Sequence, residues 1–355
     1  MTDTIPALMQ ALPLPAVLIG RTERILGTNA GASALFGEGI DGRHYITAIR
    51  QPAVLDAVEG TMGDRRVRRT RMLTRNEGQD MTYEVQSAWL GIPGAEGVLL
   101  SFQDVTHIEQ AGQMRRDFVA NVSHELRTPL TALLGFIETL RGPAREDAVA
   151  RERFLGIMAA EAQRMERLVA DLLSLNRVES EERMRPRSWV DLVGLVGSVL
   201  RRLDPLAQGA GVTLTGALPE GELEVPGDED QLRQVVTNLV ENAIKYGASG
   251  GEVTVRLTGE AQVAALRGPG AVISVEDDGP GIDPIHLPRL TERFYRVDDH
   301  RSREMGGTGL GLAIVKHIVN RHRGRLKVES EPGQGTRFSV TLPVQVVTGA
   351  TDPAE

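Results

Sequence analysis

The stretch FVANVSHELRTPLT, residues 118–131, sets His124 beside Glu125, Thr128 one turn later and Pro129 directly after it, inside a helical pattern. An imidazole with its ordinary pKa near ~6.5 is largely neutral at pH 7 and offers a ring nitrogen as a nucleophile. A carboxylate at Glu125 could accept a hydrogen bond from the other ring N–H or take its proton, and it would stabilise the imidazolium that forms. Thr128 shares the face of His124, so its hydroxyl could orient a water there. Pro129 lacks an N–H and clashes with the carbonyl of Glu125, which predicts a bend just past the histidine at a cost of ~3 kcal/mol or more. The competing reading is a solvated helix face that happens to meet a proline, and for a histidine taken alone structural packing is the commoner role.

Three further groups suggest a ligand. GGTGLGLAIVKHIVNRH puts Gly306, Gly307, Gly309 and Gly311 ahead of a helix, where backbone N–H groups and a helix N-terminus can hold phosphate oxygens. No GK[ST] closes this run, and Leu312 stands where a GxGxxG motif needs its third glycine, so it is neither a P-loop nor a dinucleotide fingerprint. Alone it reads equally well as a flexible loop. EDDGPGI follows the strand-like AVISV. There Asp277 can accept hydrogen bonds from the amino group of a base, while Gly279 and Gly281 let the chain turn closely under a ring. In NLVENAIKYG, Asn238 and Asn242 share one helix face with Lys245 at its end; amide oxygens suit magnesium and a lysine suits phosphate.

These residues need elements to position them. Residues 1–108 carry β-like runs, AVLIG, VRRTRML, MTYEVQSAWL and GVLLSFQDV, with small helices such as PAVLDAVEG between the first two, which predicts a compact α+β module. Residues 108–141 and 148–177 each carry an amphipathic stripe, separated by Gly142 and Pro143. Such a hairpin buries too little by itself, and pairing with a second copy into a four-helix bundle is the expected remedy. After RMRPRS, helices near 190–202, 229–245 and 312–322 alternate with strands, ending in a hairpin. The segment 259–270 between two strands reads as a surface loop, and the final TGATDPAE as a frayed tail.

Bulk properties agree. At 355 residues, 41% hydrophobic and 25% charged, the chain is expected to hold two or three globular domains. A net charge of −8 speaks against a broad nucleic-acid surface. The local basic run RRVRRTR is read first as solvated charge on an exposed strand and second as a partner-binding patch. With no cysteine, disulfides, thiol catalysis and Cys-ligated metals are excluded. The N-terminus has no basic n-region, its apolar stretch is broken by Pro13 and Pro15, and no run is of membrane length, so a soluble cytoplasmic protein without a transmembrane segment is expected.

With these motifs in view, the chain resembles the bacterial sensor histidine kinases of two-component systems over residues 109–346. VSHELRTPL matches the H box, NLVENAIKY the N box, DDGPGI the G1 box, ERFYRVD the F box and GGTGLGL the G2 box, in the family's order. The resemblance implies a multidomain α+β chain: a PAS-like sensor domain at 1–108, a dimeric phosphotransfer helical hairpin at 109–182, a GHKL-type α/β sandwich binding ATP at 188–346, and a tail at 347–355. It implies His124, Glu125 and Thr128 as catalytic residues, with Thr128 serving hydrolysis of a phosphorylated partner. Asn242 would be the magnesium ligand, supported by Asn238; Lys245 would meet phosphate and Tyr246 lie near adenine. Asp277 would read the adenine amino group, with Gly279 and Gly281 bordering the base. Gly307, Thr308, Gly309 and Gly311 would wrap the phosphates in a mobile lid that includes Phe294, and Arg293 and Arg296 would be phosphate or interdomain contacts, or simply exposed lid arginines.

The resemblance further implies ATP and Mg2+, a homodimer, and a response regulator as partner. DFVANVSHELRTPLTALLGFIETL is most similar to the phosphate-regulon (PhoR-type) sensors, which implies a PhoB-like regulator and, without a membrane helix, an adaptor linking the chain to a membrane transporter at the inner face. FQDVTHIE, with Asp104, Val105 and Thr106, resembles the end of a PAS domain; His44 alone is too little for haem. Two rivals stand beside this: a GHKL-type ATPase clamp, which the H box on a hairpin disfavours, and a non-catalytic PAS scaffold, which would require a lost motif.

Overall fold

The computed structural model describes residues 4–76, 79–93, 95–182, 184–247, 250–297 and 307–344. They fall into two compact units, residues 1–120 and 121–355.

In the first unit a five-stranded antiparallel sheet has the order β2-β1-β5-β4-β3, with β1 Ala16–Gly20, β2 Ile25–Thr28, β3 Arg68–Asn76, β4 Gln79–Leu90 and β5 Gly97–Asp104. The helices α2 (Ala30–Phe36), α3 (Tyr45–Ala48) and α4 (Pro52–Asp64) connect β2 to β3, while α1 (Thr4–Gln10) precedes the sheet. Strand periodicity sends Val17 and Ile19 into one core with Tyr45, Val58 and Phe102, and Ala16 and Leu18 into a second with Met9 and Ala95. Because both faces of β1 are covered, AVLIG has no polar alternation. The second half of the basic run, Arg68–Arg71, lies on the edge strand β3, where Arg69 and Arg71 are exposed, as solvated edge charge requires.

The long helices are α5 (Thr106–Arg141) and α6 (Ala148–Glu181). Pro129 does not end α5; its ring is buried within the helix. Asp147 caps α6, its carboxylate accepting the N–H groups of Val149 and Ala150. Leu168, Leu175 and Val178 of α6 are buried, whereas Leu130 and Leu134 of α5 and Leu155 and Leu173 of α6 are exposed.

The remaining elements form an α/β sandwich. Its sheet has the order β11-β12-β10-β9-β7, with β7 Thr213–Ala217, β9 Glu252–Val263, β10 Gly268–Asp277, β11 Arg325–Ser330 and β12 Thr336–Pro343. Only the β7–β9 pair of that sheet is parallel. A two-stranded sheet joins β6 (Trp189–Asp191) to β8 (Glu224–Pro226). Helix α8 (Glu229–Tyr246) packs between α7 (Leu192–Ala210) and α9 (Gly311–Arg321), and all three lie on the sheet. The surface loop expected at 259–270 is instead the end of the β9–β10 hairpin: Gly259 pairs with Ala271 and Val263 with Gly268. Glycines and short side chains hid the strand signal there, because the ladder needs backbone groups, not apolar alternation.

Candidate active site

Helix α8 organises the site. Asp228 caps it by accepting the N–H of Gln231, acidic residues open its first turn and Lys245 closes its last, an arrangement that suits the helix dipole. Leu232, Val235, Val236, Leu239, Val240 and Ala243 are buried. The other face turns Asn238, Glu241, Asn242 and Lys245 to a cavity of about 430 Å3. Lys245 is held by Glu241 at 2.9 Å, and the Asn238 amide donates to the Gly311 carbonyl at 3.2 Å.

Strand β10 delivers Asp277 to the same cavity, where burial pushes its carboxyl up to about 6 against the pull of the Gly279 and Thr336 backbone and with a further push from Asp278. Gly281 has φ +70, and a Cβ there would meet the Glu331 carbonyl oxygen at 2.0 Å, so no side chain fits under this wall. Opposite, Gly307, Thr308, Gly309 and Gly311 line the approach to α9. Gly309, at φ +72, packs on the Phe294 backbone, and its carbonyl accepts the Phe294 N–H at 2.9 Å. Of the residues expected to bind nucleotide, Asn238, Asn242, Lys245, Tyr246, Asp277, Gly281, Gly307, Thr308, Gly309 and Gly311 line the cavity, while Gly279 and Phe294 back its wall. Gly306 lies outside the described residues.

His124 is exposed on α5, and the Thr128 hydroxyl donates to its carbonyl at 3.2 Å. The neighbouring carboxylate is engaged elsewhere: Glu125 accepts from Arg164 of α6 at 3.0 Å and from Arg296 at 3.1 Å. Arg296 is no exposed lid arginine. Its side chain is 4% exposed, it lines the cavity, and its Nε is buried without a partner among the described residues. Arg293 pairs with Glu179 of α6. His317 sits half-buried between Glu179 and Glu182, and His286 bonds the Tyr295 hydroxyl at 2.6 Å; His300 lies outside the described residues.

Sequence reasoning missed the contribution of α6. Arg167 and Asp171 line the cavity, and the Thr308 hydroxyl donates to Asp171 at 2.6 Å. Nothing in LVADLLSL separates Asp171 from an ordinary solvated helix position. Leu290 and Phe338, which with Ile282 of the DDGPGI run make apolar parts of the cavity wall, likewise carry no motif. The donor set on α8, two amide oxygens and a carboxylate, is the hard-oxygen chemistry that fits Mg2+ beside phosphates.

Comparison with known proteins agrees with this geometry. Residues 114–181 match the His Kinase A (phospho-acceptor) domain, and residues 227–346 match the histidine kinase-, DNA gyrase B-, and HSP90-like ATPase. The phosphate regulon sensor protein PhoR of Pseudomonas aeruginosa is 44% identical over 250 residues, 70% of this chain and 54% of its own length. The chain carries the phospho-acceptor and ATPase domains found in histidine kinases. A second such kinase, WalK of Bacillus subtilis, is 40% identical over 248 residues, 70% of this chain and 40% of its own length. The chain thus spans about half the length of the curated sensor kinases it matches. The crystal structure of histidine kinase ThkA in complex with response regulator protein TrrA shares the fold at 20% identity and TM-score 0.52, covering 96% of this chain and 98% of ThkA. Among the described residues no helix is long and apolar enough to cross a membrane.

Proposed function

We propose that the chain is an ATP-dependent protein-histidine kinase that phosphorylates His124 and passes the phosphoryl group to an aspartate of a response regulator. One observation carries this reading: Arg296 lines the cavity and at the same time pairs with Glu125, the residue next to His124. A single cation therefore serves the cavity and the acceptor's neighbour.

In the proposed reaction a ring nitrogen of His124 attacks the γ-phosphorus of ATP. A P–N bond forms, the bond to the bridging oxygen breaks, and ADP leaves with that oxygen's electron pair. The ring proton goes to Glu125 once its carboxylate exchanges a guanidinium for the imidazole. Asp277 accepts the adenine amino group, Tyr246 flanks the base, and Lys245 and the backbone of 307–311 hold phosphates. Gly279, Gly281 and Phe294 shape those walls. Asn242, with Asn238 beside it, would hold Mg2+, which when bound neutralises phosphate charge. Thr128 would orient water for the reverse hydrolysis of the phosphorylated regulator, releasing its bond to the His124 carbonyl to do so.

The exposed leucines of α5 and α6 favour a homodimer in which two hairpins make a four-helix bundle. Residues 1–108 are read as a PAS-like sensor module, 109–182 as the dimerising hairpin and 188–346 as the ATP-binding domain. The likeness to PhoR favours a phosphate-starvation role with a PhoB-like regulator in the cytoplasm, reached by signals through a transporter adaptor at the inner membrane face. The test is incubation with γ-labelled ATP and Mg2+, comparing wild type with His124→Ala. Acid-labile, alkali-stable label that vanishes in the variant is expected. ATP turnover with no protein label would instead favour a clamp-type ATPase.

A further inference from the structure

Helix α6 belongs to the hairpin, yet two of its side chains, Arg167 and Asp171, form part of the cavity wall. Asp171 accepts the Thr308 hydroxyl at 2.6 Å, and Thr308 stands between Gly307 and Gly309 in the glycine-rich approach to α9. That approach presents donors suited to phosphate oxygens, namely the Thr308 hydroxyl and the backbone leading to a helix N-terminus. A carboxylate already sits on one of them. Two anions competing for one donor in a half-buried cavity repel, and the repulsion is stronger there than in water.

The charges around Asp171 do not remove the conflict. Burial pushes its carboxyl above the usual range and Glu241 pushes it further, while the Thr308 hydrogen bond, Lys245 and Arg167 pull it down. The rest of the docking is independent of the cavity's donors: Ser174 bonds Gln234 at 2.8 Å, Glu182 bonds His317 at 3.1 Å and Arg321 bonds Glu181 at 2.9 Å. These contacts hold α6 against the sandwich and deliver Asp171 to Thr308.

We propose that the Asp171–Thr308 contact is a latch by which docked α6 competes with the phosphates of a nucleotide, so that α6 docking and phosphate binding oppose one another. The proposal rests on the nucleotide reading of the cavity. Linkage makes the opposition reciprocal: whatever docking costs the nucleotide, the nucleotide costs docking. Asp171 is then a positioning residue that reports cavity occupancy to the hairpin carrying His124.

Calorimetric titration of the full chain tests this, with wild type, Asp171→Asn and Asp171→Ala each receiving a non-hydrolysable ATP analogue with Mg2+ and, separately, adenosine. Asn keeps the size and an acceptor oxygen but loses the charge, so it preserves the fold where Ala leaves a gap. The expected result is analogue binding about five- to tenfold tighter in both variants, with adenosine binding unchanged, because adenosine brings no phosphate to the latch. Equal analogue affinity in all three proteins overturns the latch. Weaker binding in Asp171→Asn also overturns it, since Asp171 would then assist the nucleotide. If neither analogue nor adenosine binds any of the three, the nucleotide reading itself fails and the latch with it.

Discussion

Two asparagines show how differently the two units use the same side chain. Asn29, in the N-terminal unit, is 4% exposed, and its amide is consumed internally. Its oxygen accepts from the backbone of Ala16 and Ala32 and its nitrogen donates to the carbonyls of Leu12 and Leu14. Asn242, on α8, is instead turned into the cavity beside Glu241 and Lys245. Both units set helices against a five-stranded sheet, but the first fills the space between with side chains such as Tyr45, Val58 and Phe102, whereas the second leaves about 430 Å3 among polar groups. A buried amide whose bonds close on the backbone stabilises a fold; one aimed into a cavity is available to a ligand.

That contrast can be broken by substitution. The largest effect is expected from Phe102→Ala, which removes a fully buried ring packed edge-on to Phe36 and should cost about 3–5 kcal/mol in urea unfolding of the N-terminal unit. Nucleotide affinity, measured by calorimetry, should hold. Asn242→Ala should do the reverse, cutting the rate of His124 labelling roughly 100-fold with thermal unfolding unmoved. An equal loss of stability in that variant would make Asn242 a structural amide like Asn29. Asn29→Ala should destabilise by about 2 kcal/mol, since it strips a helix cap and leaves buried backbone groups unpaired.

The smallest effect is in pH. The Asp277 carboxyl, raised to about 6, accepts an adenine amino group more strongly as the carboxylate, so nucleotide affinity should fall as pH drops below that value, by up to about tenfold at pH 5. Asp277→Asn should flatten the profile, and an unchanged slope would remove Asp277 from the base pocket. Stability at this residue runs the opposite way. A raised carboxyl value means its contribution is greatest below the unfolded value of 3.8 and is lost as pH rises through about 6.

Much of this was legible in the chain because it is written in local spacing. Asn238, Asn242 and Lys245 recur at helical intervals, so one face of α8 follows from the sequence. Strands β3, β4 and β5 were readable as β-like runs between turn residues and β1 as a short apolar run, whereas the four-residue β2, Ile25–Thr28, was not read. The β9–β10 hairpin end escaped, since Gly259, Gly268 and Gly270 carry no side-chain pattern and pair only through the backbone. Two histidines mark the same boundary. His322 is buried, accepts the Asp228 N–H on Nε2 and donates from Nδ1 to the Ile318 carbonyl, and burial lowers its pKa; His124 stands exposed on α5. No count of neighbours along the chain tells these two apart.

By itself, then, the sequence determined which residues share a helix face, which strands alternate and which motifs occur in what order, all properties of residues within a few positions of one another. Tertiary structure alone decided that Glu125 is bound by Arg164 and Arg296, residues 39 and 171 positions away, and that Asp171 reaches Thr308 across 137. Such contacts depend on how α6 packs against the sandwich, and that packing is selected by the summed burial and pairing of many side chains, which no local pattern encodes.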